Sequence, residues 1–210
     1  MSRRAIAVYA FFIVLFGVLC YFANRFDYFP GDVSISSRLQ GIDFAGLKPI
    51  MQFAPYAVGL AVLVSLRLWL PSRRWEVIFI APAASAAGIA SWLLKELVGR
   101  PRPDAELVQL LAGTHGLSFP SGHVACATVI GGFLFYLVPK LVKTPSARWL
   151  LRALLVVIIL AIGASRIYLG AHWASDVAGG LALGGLLLYP AIVLYNKYAA
   201  KRGTRNAGAA

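Results

Sequence analysis

Three short segments of the chain carry residues whose types and spacing suit phosphate chemistry. The last of them places Arg166, His172 and Asp176 close together, with the histidine and the aspartate four residues apart. On a helix that begins near residue 171, these two residues lie on one face. A carboxylate there accepts a hydrogen bond from one imidazole nitrogen and leaves the other nitrogen as a nucleophile. Taken alone, the segment fits a structural His–Asp pair at a helix end equally well.

The middle segment, Pro120-Ser121-Gly122-His123, stands directly before a long apolar run. Ser121 is expected to be the N-cap of a helix there, and the backbone N–H groups at a helix N-terminus attract anions. His123 is then placed to donate a proton to a leaving oxygen. Pro-Ser-Gly is also an ordinary way for a helix to begin, so this segment alone indicates no particular chemistry.

The first segment is Lys95, six further residues, and then Arg102-Pro103. Lysine supplies a point charge, whereas arginine supplies a planar fork that matches phosphate oxygens. Alone, Lys95 and Arg100 are typical of anchors at a membrane interface. Together with Arg166, these cations favour a phosphate ligand, because a transferring phosphoryl group spreads its charge over three oxygens.

The three segments lie between apolar stretches that are long enough to cross a bilayer. Of the 210 residues, 60% are hydrophobic and 13% are charged, and the mean hydropathy is +0.74. This composition excludes a soluble globular enzyme and a disordered chain. Because about 20 apolar residues span a bilayer, the runs predict an all-α polytopic membrane protein. Its six transmembrane helices are expected near residues 5–23, 50–70, 75–96, 121–139, 149–165 and 175–196.

The net charge of +12 comes from basic clusters that flank the apolar runs, so we expect no nucleic-acid partner. Twelve of the 20 basic residues fall on the side of the two termini, and seven of the eight acidic residues fall on the other side. Cytoplasmic loops carry the excess of Lys and Arg, so both termini are expected in the cytoplasm. The three segments are then expected at the outer, periplasmic face of a bacterial inner membrane.

The remaining stretches complete the predicted organisation. The first outward loop, residues 24–48, spaces its apolar residues as a short amphipathic helix on the membrane surface would, and a solvated connector fits equally well. The loop at 99–119 contains too much Pro and Gly for one continuous helix. Residues 1–196 are predicted to form a single six-helix membrane domain, and residues 197–210 a basic cytoplasmic tail with a frayed end.

Together, the three segments resemble the signature of the type 2 phosphatidic acid phosphatase family, whose members are lipid phosphatases. The matching residues are Lys95-x6-Arg102-Pro103, Pro120-Ser121-Gly122-His123 and Ser165-Arg166-x5-His172-x3-Asp176. All three parts match in order and in spacing without a substitution. The resemblance implies a membrane-embedded lipid phosphatase that needs no cofactor and no metal ion.

The resemblance also implies a role for each matched residue. His172 would attack phosphorus and form a phosphohistidine, and Asp176 would orient it. His123 would protonate the leaving oxygen and then activate water. The backbone N–H of Gly122 would hold phosphate oxygens together with the side chains of Lys95, Arg102, Ser121 and Arg166. Arg100 and His115 lie outside the pattern, and His115 is expected to be an ordinary loop residue.

The sequence thus predicts an integral membrane lipid phosphatase whose partners are the bilayer and a lipid phosphate, with no obligate protein partner. Undecaprenyl diphosphate, phosphatidylglycerol phosphate and phosphatidic acid are the expected substrates, and Arg100 slightly favours the diphosphate because it offers one more cation. The acidic residues other than Asp176 are scattered and have no expected role in the site. A phosphotransferase with the same intermediate stays open. A transporter of an anionic phosphate compound gives no reason for a His–Asp pair opposite a second histidine.

Overall fold

The computed structural model describes residues 3–44, 46, 48–52, 74–113 and 115–207. Regular structure in these ranges is helical, and no strand occurs within them, so the predicted all-α class is confirmed. Residues 48–52 are helical. The other helices are α1 (Arg3–Arg25), α2 (Asp32–Gln40), α3 (Arg74–Val98), α4 (Gly122–Leu141), α5 (Pro145–Tyr168) and α6 (Ala174–Ala207).

Five helices of the described part are long and apolar enough to cross a membrane. They are α1, α4 and α5 over their full lengths, α3 over Ile78–Val98 and α6 over Ala174–Lys201. A helix satisfies its own backbone hydrogen bonds, which the interior of a bilayer requires. The predicted polytopic membrane protein is therefore confirmed. The sixth predicted span, near 50–70, lies outside the described residues beyond position 52.

The largest differences from the predicted bounds occur at two helix ends. α5 begins at Pro145, before the predicted position 149, because proline at the first helical position loses no hydrogen bond. α6 continues to Ala207, so the predicted boundary between residues 196 and 197 falls inside a helix. The frayed tail expected after residue 201 is helical as far as residue 207.

α4 forms the centre of the bundle and packs against α3, α5 and α6. Its buried face repeats every four residues, with Ala125, Val129, Phe133 and Leu137 fully buried. α6 approaches this helix closely at Gly184, where an added Cβ would lie 2.8 Å from the Ala125 carbonyl oxygen. Small residues at such crossings let membrane helices pack backbone to backbone.

α2 lies in the first outward loop, where a short amphipathic helix was predicted. Its buried residues, however, are the polar Asp32 and Ser36, one turn apart, while Ile35 is 44% exposed. The helix therefore faces the protein with a carboxylate and leaves Ile35 exposed. Its contact with the membrane surface stays a prediction.

The helix ends that carry the three segments meet at one end of the bundle. Asn24 at the end of α1 donates a hydrogen bond to the carbonyl of Val98 at the end of α3, at 2.7 Å. The Ser121 backbone N–H, just before α4, donates to the Asp176 carbonyl in α6 at 3.0 Å. Gln40 at the end of α2 donates to the carbonyl of Tyr168 at 3.0 Å. The 99–119 loop has no helix among its described residues, as predicted, and crosses this end.

Candidate active site

The connection between α5 and α6 brings His172 against Asp176. α6 begins at Ala174, so His172 precedes the helix, and the expectation that both residues lie on a helix from about 171 is wrong. The contact arises because Asp176 reaches back over the helix N-terminus, where its Oδ2 accepts the backbone N–H of Trp173 at 2.8 Å. This is the carboxylate half of a capping box. The Nδ1 atom of His172 lies 3.5 Å from the same oxygen.

The His172 imidazole is 3% exposed. Burial lowers the pKa of His172 to about 4, even though the adjacent Asp176 acts in the opposite direction. The ring is therefore neutral near pH 7. Because Nδ1 is the nitrogen that faces Asp176, Nε2 is the nitrogen that keeps a lone pair on the side of the cavity that His172 lines.

Asp176 is fully buried and is held by donors from three parts of the chain. Its Oδ1 accepts a hydrogen bond from Nη1 of Arg100 at 2.6 Å. Its Oδ2 accepts from the Ser118 hydroxyl and from the backbone of Trp173. A carboxylate buried without such donors is strongly unfavourable, so these contacts keep it charged and in one orientation beside His172.

Ser121 occupies the N-cap position of α4, as predicted. Its hydroxyl does not cap the helix, and Oγ is buried with no hydrogen-bond partner among the described residues. The following Gly122 packs against α3, where an added Cβ would lie 3.1 Å from the Ser91 hydroxyl. A buried hydroxyl without a partner, at a helix N-terminus, is a ready contact for an anion.

Lys95 and Arg102 are held by backbone carbonyl groups of the loops that surround the site. The Nζ atom of Lys95 donates to the Leu117 carbonyl at 2.6 Å. Arg102 donates from Nη1 to the Ala171 carbonyl at 2.5 Å and from Nε to the His115 carbonyl at 3.1 Å. Burial lowers the pKa of Arg102 from its ordinary value, yet arginine stays charged at neutral pH. Two positive charges are thus fixed at this end of the bundle.

Arg166 lies at the end of α5 and contacts the same loop from its other side. Its carbonyl accepts the backbone N–H of Ala171 at 3.0 Å and that of His172 at 3.2 Å. Its guanidinium donates to the Ser165 hydroxyl at 3.2 Å and to the Met51 carbonyl. Arg166 therefore orders the backbone that carries His172, and its side chain is not part of the cavity wall formed by the described residues.

A cavity of about 450 Å³ lies between α3, α4 and α5. Five of the eight predicted site residues line its polar end, namely Lys95, Arg102, Gly122, His123 and His172. The remainder of the wall is largely apolar and includes Ile130, Leu134, Leu155, Ile158 and Ile159. Asp176 contacts His172 from behind, and Ser121 adjoins Gly122. The cavity therefore combines positive charge and imidazoles at one end with a hydrocarbon surface along its length, a shape suited to an anionic amphiphile.

The sequence analysis missed the contacts that two residues of this region make. Arg100 was expected to offer a cation to a second phosphate, but its side chain is fully buried and bonded to Asp32 and Asp176. That expectation is wrong, because the guanidinium N–H groups of Arg100 already donate to two carboxylates. Asp32, which had no expected role, lies next to the first turn of α6. The two residues are 68 positions apart, so no local pattern could have linked them.

His115 is exposed and supplies only its carbonyl to Arg102, which agrees with its interpretation as a loop residue. No group of three His, Cys, Asp or Glu side chains that could share a metal ion occurs in the part of the chain that the structure describes. The side chains able to bind a ligand at this site are thus cations, imidazoles and a hydroxyl, a set that suits a phosphate group.

The fold and the site together define a helical integral membrane protein with a cavity that carries cations and imidazoles at one end. Residues 75–200 match the sequence model of the PAP2 superfamily, and the chain belongs to this family. The resemblance noted from the sequence is therefore confirmed. Relatives of this chain within the family are named phosphatases.

Two relatives and one solved structure illustrate the similarity. Phosphatidylglycerophosphatase B of Bacillus subtilis is 32% identical over 139 residues, which are 64% of this chain and 65%, just under two thirds, of that protein. Decaprenylphosphoryl-5-phosphoribose phosphatase of Mycobacterium tuberculosis is 32% identical over 162 residues, or 73% of this chain and 85% of that protein. The crystal structure of a transmembrane PAP2-type phosphatidylglycerolphosphate phosphatase from Bacillus subtilis shares the fold, with a TM-score of 0.72. The two sequences are 22% identical, and the structural match covers 90% of this chain and 96% of that chain.

Proposed function

We propose that this protein hydrolyses a phosphate ester of a membrane lipid through a phosphohistidine at His172, without a metal ion. One observation carries the proposal: two cations and two imidazoles line the same cavity as an apolar wall. These residues are Lys95, Arg102, His123 and His172. The cations suit a phosphate headgroup, and the apolar wall suits the lipid chain next to it.

The first step is the attack of the His172 Nε2 lone pair on phosphorus. A P–N bond forms while the P–O bond to the lipid breaks, and His123 gives its proton to the leaving oxygen. The ring of His172 becomes positively charged in this step. Asp176 lies 3.5 Å from Nδ1 and stabilises that charge.

The second step releases phosphate and restores the protein. His123 takes a proton from water, the water oxygen attacks phosphorus, and the P–N bond breaks with its electron pair returning to His172. During both steps the equatorial oxygens contact Lys95, Arg102 and the Ser121 hydroxyl. The Gly122 backbone N–H adds a further donor, and Arg166 adds positive charge from the end of α5.

A lipid phosphomonoester is the first substrate to test. The two relatives described above are named for phosphatidylglycerophosphate and for decaprenylphosphoryl-5-phosphoribose. The reason for preferring a diphosphate is lost, since Arg100 bonds to two carboxylates. Phosphatidylglycerol phosphate therefore leads the panel, and phosphatidic acid and undecaprenyl diphosphate complete it.

The test measures phosphate release by the purified protein in detergent with EDTA present. We compare the wild type with His172→Ala and, as a matched control, with His115→Ala, whose side chain is exposed and lies outside the cavity wall. The wild type and His115→Ala should release phosphate at similar rates. His172→Ala should be slower by about 10³-fold or more, as expected when a nucleophile is removed.

Three results would contradict the proposal. Release that persists in His172→Ala would exclude the phosphohistidine, and a wild type that is active only after a divalent cation is added would exclude the metal-independent reaction. A folded wild type that releases no phosphate from any of the three lipids would favour the phosphotransferase or the transporter. Addition of an acceptor lipid separates these two, because only the phosphotransferase then forms a new ester.

A further inference from the structure

Arg100 lies at the centre of a buried network that connects the first outward loop to α6. Its Nη1 donates to Oδ1 of Asp176 at 2.6 Å, and its Nη2 donates to Oδ2 of Asp32 at 3.1 Å. All three side chains are at most 3% exposed. Neither Arg100 nor Asp32 is among the residues that line the cavity in the described part of the chain. The network therefore lies behind Asp176 and away from a bound substrate.

Asp32 also holds the first turn of α6 directly. Its Oδ1 accepts the backbone N–H of Ser175 at 2.9 Å, and its Oδ2 accepts the Ser175 hydroxyl at 2.5 Å. The oxygen of that hydroxyl in turn accepts from Nη1 of Arg100 at 2.7 Å. The first N–H groups of a helix have no partner within the helix. Here a carboxylate 143 residues earlier in the chain satisfies one of them.

Hydrogen bonds and an aromatic ring hold the Arg100 side chain in place. Its Nε donates to the carbonyls of Phe26 at 3.2 Å and Asp27 at 3.1 Å, and its guanidinium lies 4.7 Å from the ring centre of Phe29. The Arg100 carbonyl accepts the backbone N–H of Ser118 at 2.9 Å. The Ser118 hydroxyl is one of the donors to Asp176. Backbone and side chain of Arg100 thus constrain the same carboxylate.

We propose that Asp32 and Arg100 are positioning residues for the reaction at His172 and act through Asp176. By bonding Oδ1 of Asp176, Arg100 leaves Oδ2 as the oxygen that faces Nδ1 of His172. The two carboxylates and one guanidinium also leave one net negative charge buried beside that ring. This charge is compensated when the ring becomes positive on attacking phosphorus, so the network stabilises the transition state more than the free site. The inference rests on the proposed function.

The test uses Asp32→Asn, which keeps the size of the side chain and removes its charge, and Arg100→Lys, which keeps the charge and removes the fork. Ser36→Ala is the matched control, because Ser36 is buried one turn further along α2 and its hydroxyl has no hydrogen-bond partner among the described residues. We measure kcat and KM for a lipid phosphomonoester, the melting temperature, and inhibition by orthovanadate and by inorganic phosphate. Orthovanadate forms the five-coordinate geometry of the transition state, whereas phosphate resembles the product.

Asp32→Asn and Arg100→Lys should lower kcat by about 10- to 100-fold, the usual effect of removing a group that orients an active-site residue, and should leave KM within about twofold. Inhibition by orthovanadate should weaken in parallel with kcat, while inhibition by phosphate should not change. Ser36→Ala should match the wild type in every measurement.

Three results would overturn the inference. The first is a folded Asp32→Asn variant with wild-type kcat and wild-type inhibition by orthovanadate. The second is an equal weakening of both inhibitors together with a lower melting temperature, since that indicates a purely structural role. The third is a folded wild type with no phosphatase activity, which overturns the proposed function as well and so differs from the first two.

Discussion

His172, the proposed nucleophile, is almost completely buried. Burial lowers its pKa from 6.5 to about 4, so between these pH values the unfolded chain binds a proton that the folded protein does not bind. Stability rises with pH wherever the unfolded state holds more protons. The contribution of His172 to the free energy of unfolding is therefore complete above about pH 6.5. It is lost progressively as the pH falls towards 4.

We expect this loss to appear in thermal unfolding in detergent between pH 7.5 and pH 4.5. Acidification should lower the melting temperature of the wild type more than that of His172→Gln, because glutamine takes up no proton. His115→Gln is the control and should follow the wild type, since its side chain is exposed. If acidification lowered the melting temperatures of the wild type and His172→Gln equally, the burial of His172 would not suppress its protonation.

At the scale of helices, the site depends on how closely α6 approaches α4. A Cβ added at Gly184 would lie 2.6 Å from the Thr128 Cβ and 2.8 Å from the Ala125 carbonyl oxygen, so the helices would have to separate. The neighbouring Gly185 is exposed and has no atom within 4 Å of an added Cβ. Ala125 and Thr128 lie two and five residues after His123, so this crossing affects the spacing between α4 and α6 near the site.

Gly184→Ala and Gly185→Ala form a matched pair for this crossing. Both substitutions gain about 1 kcal/mol of helix propensity, but only the first forces a close contact, which costs about 1–3 kcal/mol. We expect Gly184→Ala to melt below Gly185→Ala in detergent and to lose phosphatase activity in step with its altered helix spacing. Melting temperatures that agree within error would contradict the role assigned to this glycine.

At the scale of the whole molecule, the basic clusters predict which side of the membrane the site faces. Lys140, Lys143 and Arg148 surround the connection between α4 and α5, at the opposite end of α4 from His123. Cytoplasmic connections carry this excess of basic residues. The cavity mouth and the 99–119 loop should then lie on the outer side.

Cysteine labelling in intact cells checks this orientation. The free cysteines Cys20 and Cys126 are first replaced by alanine, and a new cysteine is introduced as Gly113→Cys or as Lys143→Cys, both at exposed positions. An impermeant maleimide should label Gly113→Cys in intact cells and Lys143→Cys only after permeabilisation. The reverse pattern would place the site in the cytoplasm.

The sequence predicted the five spans that the described residues contain, and it grouped the matched residues into three segments, because both features have local signatures. Apolar runs located α1, α3, α4, α5 and α6 to within a few residues at most of their ends. Spacing within three short segments identified Lys95, His123 and His172, which the fold brings to one cavity. These features depend on residues that are near one another in the chain, and such patterns are visible without coordinates.

The parts that could not be predicted depend on contacts between distant residues. Asp32 and Arg100 pair across 68 positions, and α2 buries a polar face that apolar periodicity does not indicate. His172 approaches Asp176 because the carboxylate caps the helix start, a geometry that spacing alone does not distinguish from a shared helix face. Tertiary contacts decide each of these three features.

The contact between Asp32 and Ser175 can form only late in the synthesis of the chain. A nascent chain is made from its N-terminus, at about 5–20 residues per second, so Asp32 leaves the ribosome 143 residues before its partner. Until α6 has been synthesised and inserted, neither Asp32 nor Arg100 has Ser175 or Asp176 to bind. The complete network around Asp176 therefore forms only when α2, the 99–119 loop and the start of α6 have all reached the same side of the membrane.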